Sequence, residues 1–122
     1  MAPPVRQPSL AAKARGRFGE NEAARWYLRR GYEVVARNWR CSAGEVDLIL
    51  RGQEVVVFCE VKARASSEFG GPEGAVNWSK QRRLRRLAAM WLAEVRPAGA
   101  ITVRFDVAAV VGAQVEVIEG AF

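Results

Sequence analysis

Apolar and polar residues alternate along the chain with two periodicities, one typical of helices and one typical of strands. Ala24, Tyr27 and Leu28 form a stripe at helical spacing, which predicts a helix from Phe18 to Arg30 that ends at Gly31. A second helix is predicted over residues 79–95. Five of its residues are expected to face the core: Leu84, Leu87, Ala88, Trp91 and Val95.

Five further segments are predicted as strands, over residues 32–40, 44–50, 54–63, 100–111 and 114–119. Glycines and a proline in residues 65–77 predict a loop before the second helix. The order α-β-β-β-α-β-β predicts an α/β protein with a mixed central sheet flanked by helices. Residues 1–16 are predicted as a flexible basic arm, and residues 17–122 as a single domain.

The hairpin between the second and third strands gathers charges at one end. A two-residue turn at Gly52 and Gln53 would place Asp47 and Glu60 diagonally across the two strands, on one face of the sheet. Glu45 and Lys62 share that face. A four-residue loop would preserve this grouping, whereas a three-residue loop would reverse it.

Neighbouring carboxylates repel each other, so one tends to stay protonated unless a cation lies between them. Mg²⁺ (or Mn²⁺) prefers oxygen ligands and often takes one or two carboxylates together with phosphates and water. Lys62 would then orient a water or stabilise charge on phosphorus. The alternative is a solvated hairpin end at which Glu60 and Lys62 form a surface pair of little energetic value. Glu20, on the inward stripe of the first helix, points toward the sheet or serves only as a first-turn acid.

Composition narrows the chemistry. The chain has 122 residues, a formal charge of +6 and no histidine, which excludes histidine triads and most zinc sites. Its two cysteines are expected to be reduced, as in a cytoplasmic protein. No segment reaches the length of a membrane span, so we expect no membrane partner.

The basic balance favours a polyanionic partner. Arg82, Arg83, Arg85 and Arg86 crowd the second helix, and no acid occurs between Glu73 and Glu94, which favours phosphate binding over a merely solvated face. Asp106 is expected to pair with an arginine.

Three further residues are expected near the acidic end, and two of them have two interpretations. Lys80 contacts phosphate or is an ordinary first-turn residue, and Arg64 would lie near the same end. For Glu45 a surface position is favoured over a supporting role in the site.

Residues 16–106 resemble the YraN-like family of small bacterial proteins, also called UPF0102. The resemblance rests on Gly19-Glu20, "YLRRGY", "NWR" at 38–40, "GEVDLI", "EVKAR", "FG", Lys80 and "RFD". That family is similar to the restriction-endonuclease-like superfamily and to Holliday junction resolvases. The resemblance implies an α-β-β-β-α-β core, with Asp47 and Glu60 as metal ligands and Lys62 as the catalytic lysine. It also implies that Glu20 belongs to the catalytic set and binds the metal directly or through water.

Together these observations predict a magnesium-dependent DNA endonuclease, acting on branched DNA. The alternative is a non-catalytic nucleic-acid-binding protein with a nuclease-like fold. A homodimer would suit a two-fold junction. Five residues are expected to contact the nucleic acid: Arg64, Lys80, Arg82, Arg83 and Arg86.

Overall fold

Seven elements follow one another in the predicted order. The computed structural model describes residues 9–64, 77–99 and 101–122. Its helices and strands are α1 (Leu10–Arg29), β1 (Glu33–Cys41), β2 (Gly44–Arg51), β3 (Val55–Arg64), α2 (Trp78–Val95), β4 (Thr102–Val111) and β5 (Gln114–Ile118). The α/β class and the α-β-β-β-α-β core are therefore confirmed, with β5 added at the end.

The strands form one mixed sheet with the order β1-β2-β3-β4-β5. β3 and β4 run parallel, whereas the other neighbours run antiparallel. A parallel pair needs a long crossover connection, and α2 lies in the connection between β3 and β4. The antiparallel pairs need only short turns, which brings the charged ends of β2 and β3 together.

Each helix covers a different face of the sheet. Ala23, Ala24 and Tyr27 of α1 pack with Leu48 and Val57 in one buried cluster. On the other side, the residues of α2 and the sheet form a second buried cluster that includes Ile49, Phe58, Leu84, Leu87 and Trp91. The sheet is thus buried on both faces, which accounts for the continuous apolar runs in β2 and β3.

Gly19 allows α1 to approach β3 closely. A Cβ atom at this position would lie 2.7 Å from the Cβ of Ala63, closer than two side chains pack. The contact fixes α1 beside the last residues of β3, so that Glu20 follows immediately at the charged end of the hairpin.

The connection between β2 and β3 differs from the predicted turn. The pairs run from Leu48 with Cys59 to Arg51 with Val56, which leaves the four residues 52–55, the last of them the first residue of β3, between the last paired positions. The Gly52 N–H donates to the Val55 carbonyl at 2.9 Å. The two-residue turn was therefore wrong, but the face shared by Asp47 and Glu60 is unchanged, since a four-residue loop keeps the parity. Continued by one step, this register sets Asp47 directly opposite Glu60 instead of diagonal to it.

The first helix begins earlier than predicted. α1 starts at Leu10, and the Ser9 side chain caps it by accepting the Ala12 N–H at 3.1 Å. Residues 10–16, predicted as part of a flexible arm, are helical. The division into arm and domain stays a prediction, since residues 1–8 lie outside the described ranges.

Two predicted core residues are wrong. Leu28 is 52% exposed and Val95 is 47% exposed, so neither belongs to the interior. Most of the predicted loop, residues 65–76, lies outside the described part of the chain. Across the ranges that are described, neither helix is long and apolar enough to cross a membrane.

Candidate functional site

Asp47 lies where β2 and β3 stop pairing regularly. Its Oδ2 accepts the backbone N–H of Val61 at 2.8 Å. The last pair at this end is Leu48 with Cys59, so Asp47 lies one residue beyond Leu48 and Val61 lies two residues beyond Cys59. The carboxylate therefore takes the place of a strand carbonyl and is held between the two strands. This fixes the orientation of Asp47 before any ligand arrives.

The surroundings of Asp47 oppose its ionisation. Burial, followed by the charge of Glu60, raises the pKa of Asp47 to about 7, and the charges of Glu20 and Glu45 act in the same direction. A hydrogen bond from Val61 counteracts them only in part. A carboxylate in this position is stabilised either by a proton or by an added cation.

Glu60 is held by two ammonium groups. The Nζ atoms of Lys62 and Lys80 lie 3.4 Å and 3.3 Å from Glu60 Oε1. Lys62 follows Glu60 on the same strand, whereas Lys80 comes from the first turn of α2, where Asn77 caps the helix by accepting the Lys80 N–H. Lys80 is therefore a first-turn residue of α2 that also reaches Glu60, and its contact with phosphate stays a prediction.

The two lysines differ in their ease of protonation. Burial and the adjacent Lys80 lower the pKa of Lys62. Hydrogen bonding to Lys62, together with the Glu60 carboxylate, raises the pKa of Lys80. Lys80 is thus the more firmly charged group, and Lys62 is the lysine that releases its proton more readily.

Glu20 reaches the site from α1, on the opposite helix layer from Lys80. Burial raises the pKa of Glu20, and a hydrogen bond from Asn38 lowers it. The Asn38 amide lies between two acids and donates to Glu20 Oε1 at 2.6 Å and to Glu45 Oε1 at 2.8 Å when its nitrogen faces them. Its φ of 50° is in the left-handed region, which asparagine adopts more readily than most residues.

Glu45 takes part in this arrangement through Asn38, while its side chain remains 32% exposed, so it also keeps a place at the surface near the turn. It is half-buried, and its second oxygen accepts from Arg40 Nε at 3.0 Å. No pattern in the sequence predicts that Asn38 bridges Glu20 and Glu45. The only available signal was its place in the "NWR" motif.

The carboxylates of the site suit a hard cation only if water fills most of its coordination positions. Asp47 and Glu60 offer carboxylate oxygens, the type that Mg²⁺ prefers. Across the described ranges, no three His, Cys, Asp or Glu side chains form a group that could hold a metal ion. The residues therefore fit an ion that keeps several waters, and a direct ligand role for Glu20 stays a prediction.

A cleft of about 190 Å³ opens beside the acids on the α2 side. Glu45, Asp47 and Glu60 line it together with Lys80 and Arg83. A neighbouring cleft of about 370 Å³ is lined by Arg82, Arg83 and Arg86 with Ala43 and Ser79. Four of the predicted nucleic-acid contacts thus lie in clefts that adjoin one another at Arg83.

Arg85 and Arg64 line neither of these two clefts. Arg85 lies over the Phe105 and Phe122 rings, 5.1 Å and 5.4 Å from their centroids, so it covers the core edge. Arg64 ends β3 and is half-buried.

Asp106 has a structural part, and its predicted arginine partner is confirmed. The carboxylate is fully buried and accepts from Arg104 through both oxygens at 2.9 Å. Tyr27 Oη donates at 2.6 Å and the Gly120 N–H at 3.0 Å. These four donors occupy the carboxylate, which leaves it poorly suited to bind a metal.

Glu22 of α1 is a further acid with a structural partner. It is only 9% exposed and pairs with Arg25 at 2.6 Å.

The mixed sheet between two helices, with an acid on β2 and a Glu-x-Lys pair on β3, defines an α/β domain with an α-β-β-β-α-β core. The profile of the uncharacterised protein family UPF0102 matches residues 19–110. The chain belongs to this family, and the resemblance seen in the sequence is confirmed.

Curated relatives agree with this assignment. A UPF0102 protein of Beutenbergia cavernae is 55% identical over 100 residues, covering 82% of this chain and 84% of the relative. One from Frankia casuarinae is 50% identical over 97 residues, covering 80% and 81%. One from Frankia alni is 49% identical over 117 residues, covering 92% and 97%. Their names state the family and no activity.

Proposed function

We propose that this protein is a magnesium-dependent endonuclease that hydrolyses phosphodiester bonds in DNA, with branched DNA as the preferred substrate. One observation carries the proposal. Asp47 and Glu60, from neighbouring strands, line one cleft with Lys80, and Lys62 lies 3.4 Å from the same Glu60 oxygen. Acids that would hold a cation and ammonium groups that would meet phosphate thus share one corner of the fold.

The burial of Asp47 supports a cation in particular. Its pKa of about 7 reflects a low-dielectric place beside Glu60, where an added positive charge would relieve the repulsion. A bound Mg²⁺ would supply that charge and would favour ionisation of a bound water. Asp47 and Glu60 would hold the ion, with Asp47 oriented by the Val61 N–H.

The lysines would act on the substrate. In the hydrolysis a water oxygen bonds to phosphorus, the bond from phosphorus to the leaving oxygen breaks, and one proton moves from the water to that oxygen. Lys62, the more easily deprotonated lysine, would orient the water or receive its proton. Lys80 would remain charged and stabilise the phosphoryl oxygens.

A cleavage panel tests this proposal. Wild-type protein is incubated with single-stranded, duplex, flap and four-way-junction DNA, with Mg²⁺, with Mn²⁺ or with chelator. We expect cleavage only with metal, fastest on a branched substrate. Asp47→Asn, Glu60→Gln and Lys62→Ala should each lower the rate by about 100-fold or more, because each removes a group acting on the reacting centre.

The matched control is Glu94→Gln, which removes an exposed acid on α2 and should leave the rate within about twofold. All variants are prepared identically, so a contaminating nuclease would cleave equally in each. Equal rates in the wild type and Asp47→Asn would contradict the proposal.

A second function is favoured by one observation. Two ammonium groups already neutralise Glu60, and across the described ranges no three-ligand metal group exists. This arrangement also suits a protein that binds nucleic acid without cutting it. Wild-type protein that binds DNA but never cleaves it with Mg²⁺ or Mn²⁺ would establish this alternative.

Two further parts of the proposal concern the cellular location and the oligomeric state of the protein. With DNA as its substrate, the protein would act in the cytoplasm. A homodimer would present two sites to a two-fold symmetric junction, and light scattering during size-exclusion chromatography with and without junction DNA measures it. A mass of one chain in both conditions would overturn the dimer.

A further inference from the structure

A larger cavity lies on the α1 side of the acidic site. It measures about 560 Å³ and is open to solvent. Glu20, Glu45 and Asp47 line it on one side. Its remaining wall includes Lys13, Arg15 and Arg17 from the first half of α1.

These three cations have no acidic partner in the part of the chain that the structure describes. The ion pairs found there involve other residues, and no acid occurs between Ser9 and Gly19. Positive charge in the first turn of a helix, where Lys13 lies, also opposes the helix dipole. The position of Lys13 therefore does not stabilise α1, and a negatively charged partner outside the chain would account for the three cations.

Gly16 leaves this wall open. It lies within α1 between Lys13 and Arg17, where glycine weakens a helix, and it also lines the cavity. A Cβ atom at Gly16 would meet nothing within 4 Å, so packing inside the protein does not require glycine there. The absent side chain lets an extended ligand approach the helix backbone.

The same charge pattern recurs on the other side of the acids. Lys80 and Arg83 of α2 line the cleft next to Asp47 and Glu60, and α2 likewise has no acid in its first turn. The carboxylates thus lie between two basic walls that belong to different helices on opposite faces of the sheet.

We propose that the first half of α1 is a second DNA-binding surface, on which Lys13, Arg15 and Arg17 contact phosphates on the side of the acidic site opposite α2. The DNA backbone then crosses the site with phosphates bound on both sides of the carboxylates. This inference deepens the proposed function and rests on it. It concerns binding alone, and so it is tested without cleavage.

The test measures the affinity of full-length protein for a fluorescent four-way DNA junction by anisotropy in chelator, at several salt concentrations. The variant Lys13→Ala/Arg15→Ala/Arg17→Ala removes three charges from the cavity wall. The matched control Arg25→Ala/Arg29→Ala/Arg30→Ala removes three charges from the other end of the same helix, which lines none of the three clefts.

We expect the wall variant to lose about tenfold or more in affinity at about 0.1 M salt. The slope of log K against log salt, which is negative, should become less negative by about 2 to 3, since about one counterion fewer is released for each lost phosphate contact. The control should stay within about threefold of the wild type. Gly16→Asp, which adds an acid to the wall without removing a cation, should weaken binding in the same direction and provides a second test.

The possible failures are distinguishable. If the wild type binds DNA and the wall variant matches the control, the α1 surface is wrong and the proposed function stands. If the wild type binds no DNA at any salt concentration, both are wrong. Tighter binding of an RNA junction of the same sequence would overturn DNA as the partner.

Discussion

Asp47 combines a buried position with the charge of a neighbouring acid. Its folded-state pKa of about 7 lies above the ordinary value of 3.8, so the folded protein binds this proton more tightly than the unfolded chain does. The proton on Asp47 therefore stabilises the folded state fully below about pH 4, and this stabilisation is lost as the pH rises toward 7.

Replacing Asp47 with asparagine should remove this loss of stability at high pH. A rise in the pKa from 3.8 to about 7 corresponds to at most about 4 kcal/mol in the free energy of unfolding, and water that reaches the half-buried side chain reduces this value. We expect Asp47→Asn to be more stable than the wild type by about 1–2 kcal/mol at pH 8, with a smaller difference at pH 5. Urea unfolding in chelator measures it. A variant no more stable than the wild type at pH 8 would show that Asp47 is well solvated.

Replacing Asp106 should destabilise the protein, whereas replacing Asp47 should stabilise it. Asp106→Ala leaves Arg104 and Tyr27 without their buried partner, and breaking a buried pair costs about 3–5 kcal/mol. Urea unfolding should show this loss, whereas Glu116→Ala, at an exposed position on β5, should change stability by about 0.5 kcal/mol or less. Similar values for the two variants would contradict the structural part assigned to Asp106.

Sequence reasoning at this scale succeeded where simple alternation decides the outcome. The two-residue period of a strand grouped Asp47 with Glu60 despite the wrong loop length. It did not predict that Asn38 lies between Glu20 and Glu45, because this contact requires the pairing of β1 with β2 and the left-handed backbone of Asn38. Neither feature follows from the periodicity of one segment.

At the scale of elements, two glycines of α1 should respond in opposite ways to substitution by alanine. A methyl group at Gly19 would lie 2.7 Å from the Ala63 Cβ, and one at Gly16 would meet nothing within 4 Å. We therefore expect Gly19→Ala to destabilise the protein by about 1–2 kcal/mol through overpacking. Gly16→Ala should stabilise it by about 0.5–1 kcal/mol through helix propensity.

Thermal or urea unfolding of both variants measures this contrast, and each serves as the control for the other. If both variants stabilise the protein, α1 does not approach β3 as closely as the structure shows. A destabilised Gly16→Ala would mean that residues 10–16 are not helical in solution.

The early start of α1 illustrates why element boundaries were hard to predict. Leu10 and Phe18 are exposed, so the first half of the helix has no buried apolar stripe to mark it. Its beginning is instead set by the Ser9 cap. The second helix was predicted nearly to the residue because Leu84, Leu87, Ala88 and Trp91 do form such a stripe.

At the scale of the whole molecule, the class of fold followed from the order of the elements, but the strand order required the structure. A sequence of α-β-β-β-α-β-β predicts helices against a mixed sheet. Parallel pairing of β3 with β4 joins segments separated by α2, and no local pattern specifies it. This pairing sets β3 in the middle of the sheet, between the two helices that supply Glu20 and Lys80.

The central claim is that Asp47 and Glu60 hold a divalent cation at this corner. The most direct measurement is anomalous X-ray scattering from crystals soaked in Mn²⁺, compared with crystals of Asp47→Asn soaked in the same way. We predict a manganese peak between the Asp47 and Glu60 carboxylates in the wild type and its loss in the variant. No peak at these carboxylates, or an equal peak in both crystals, would contradict the account.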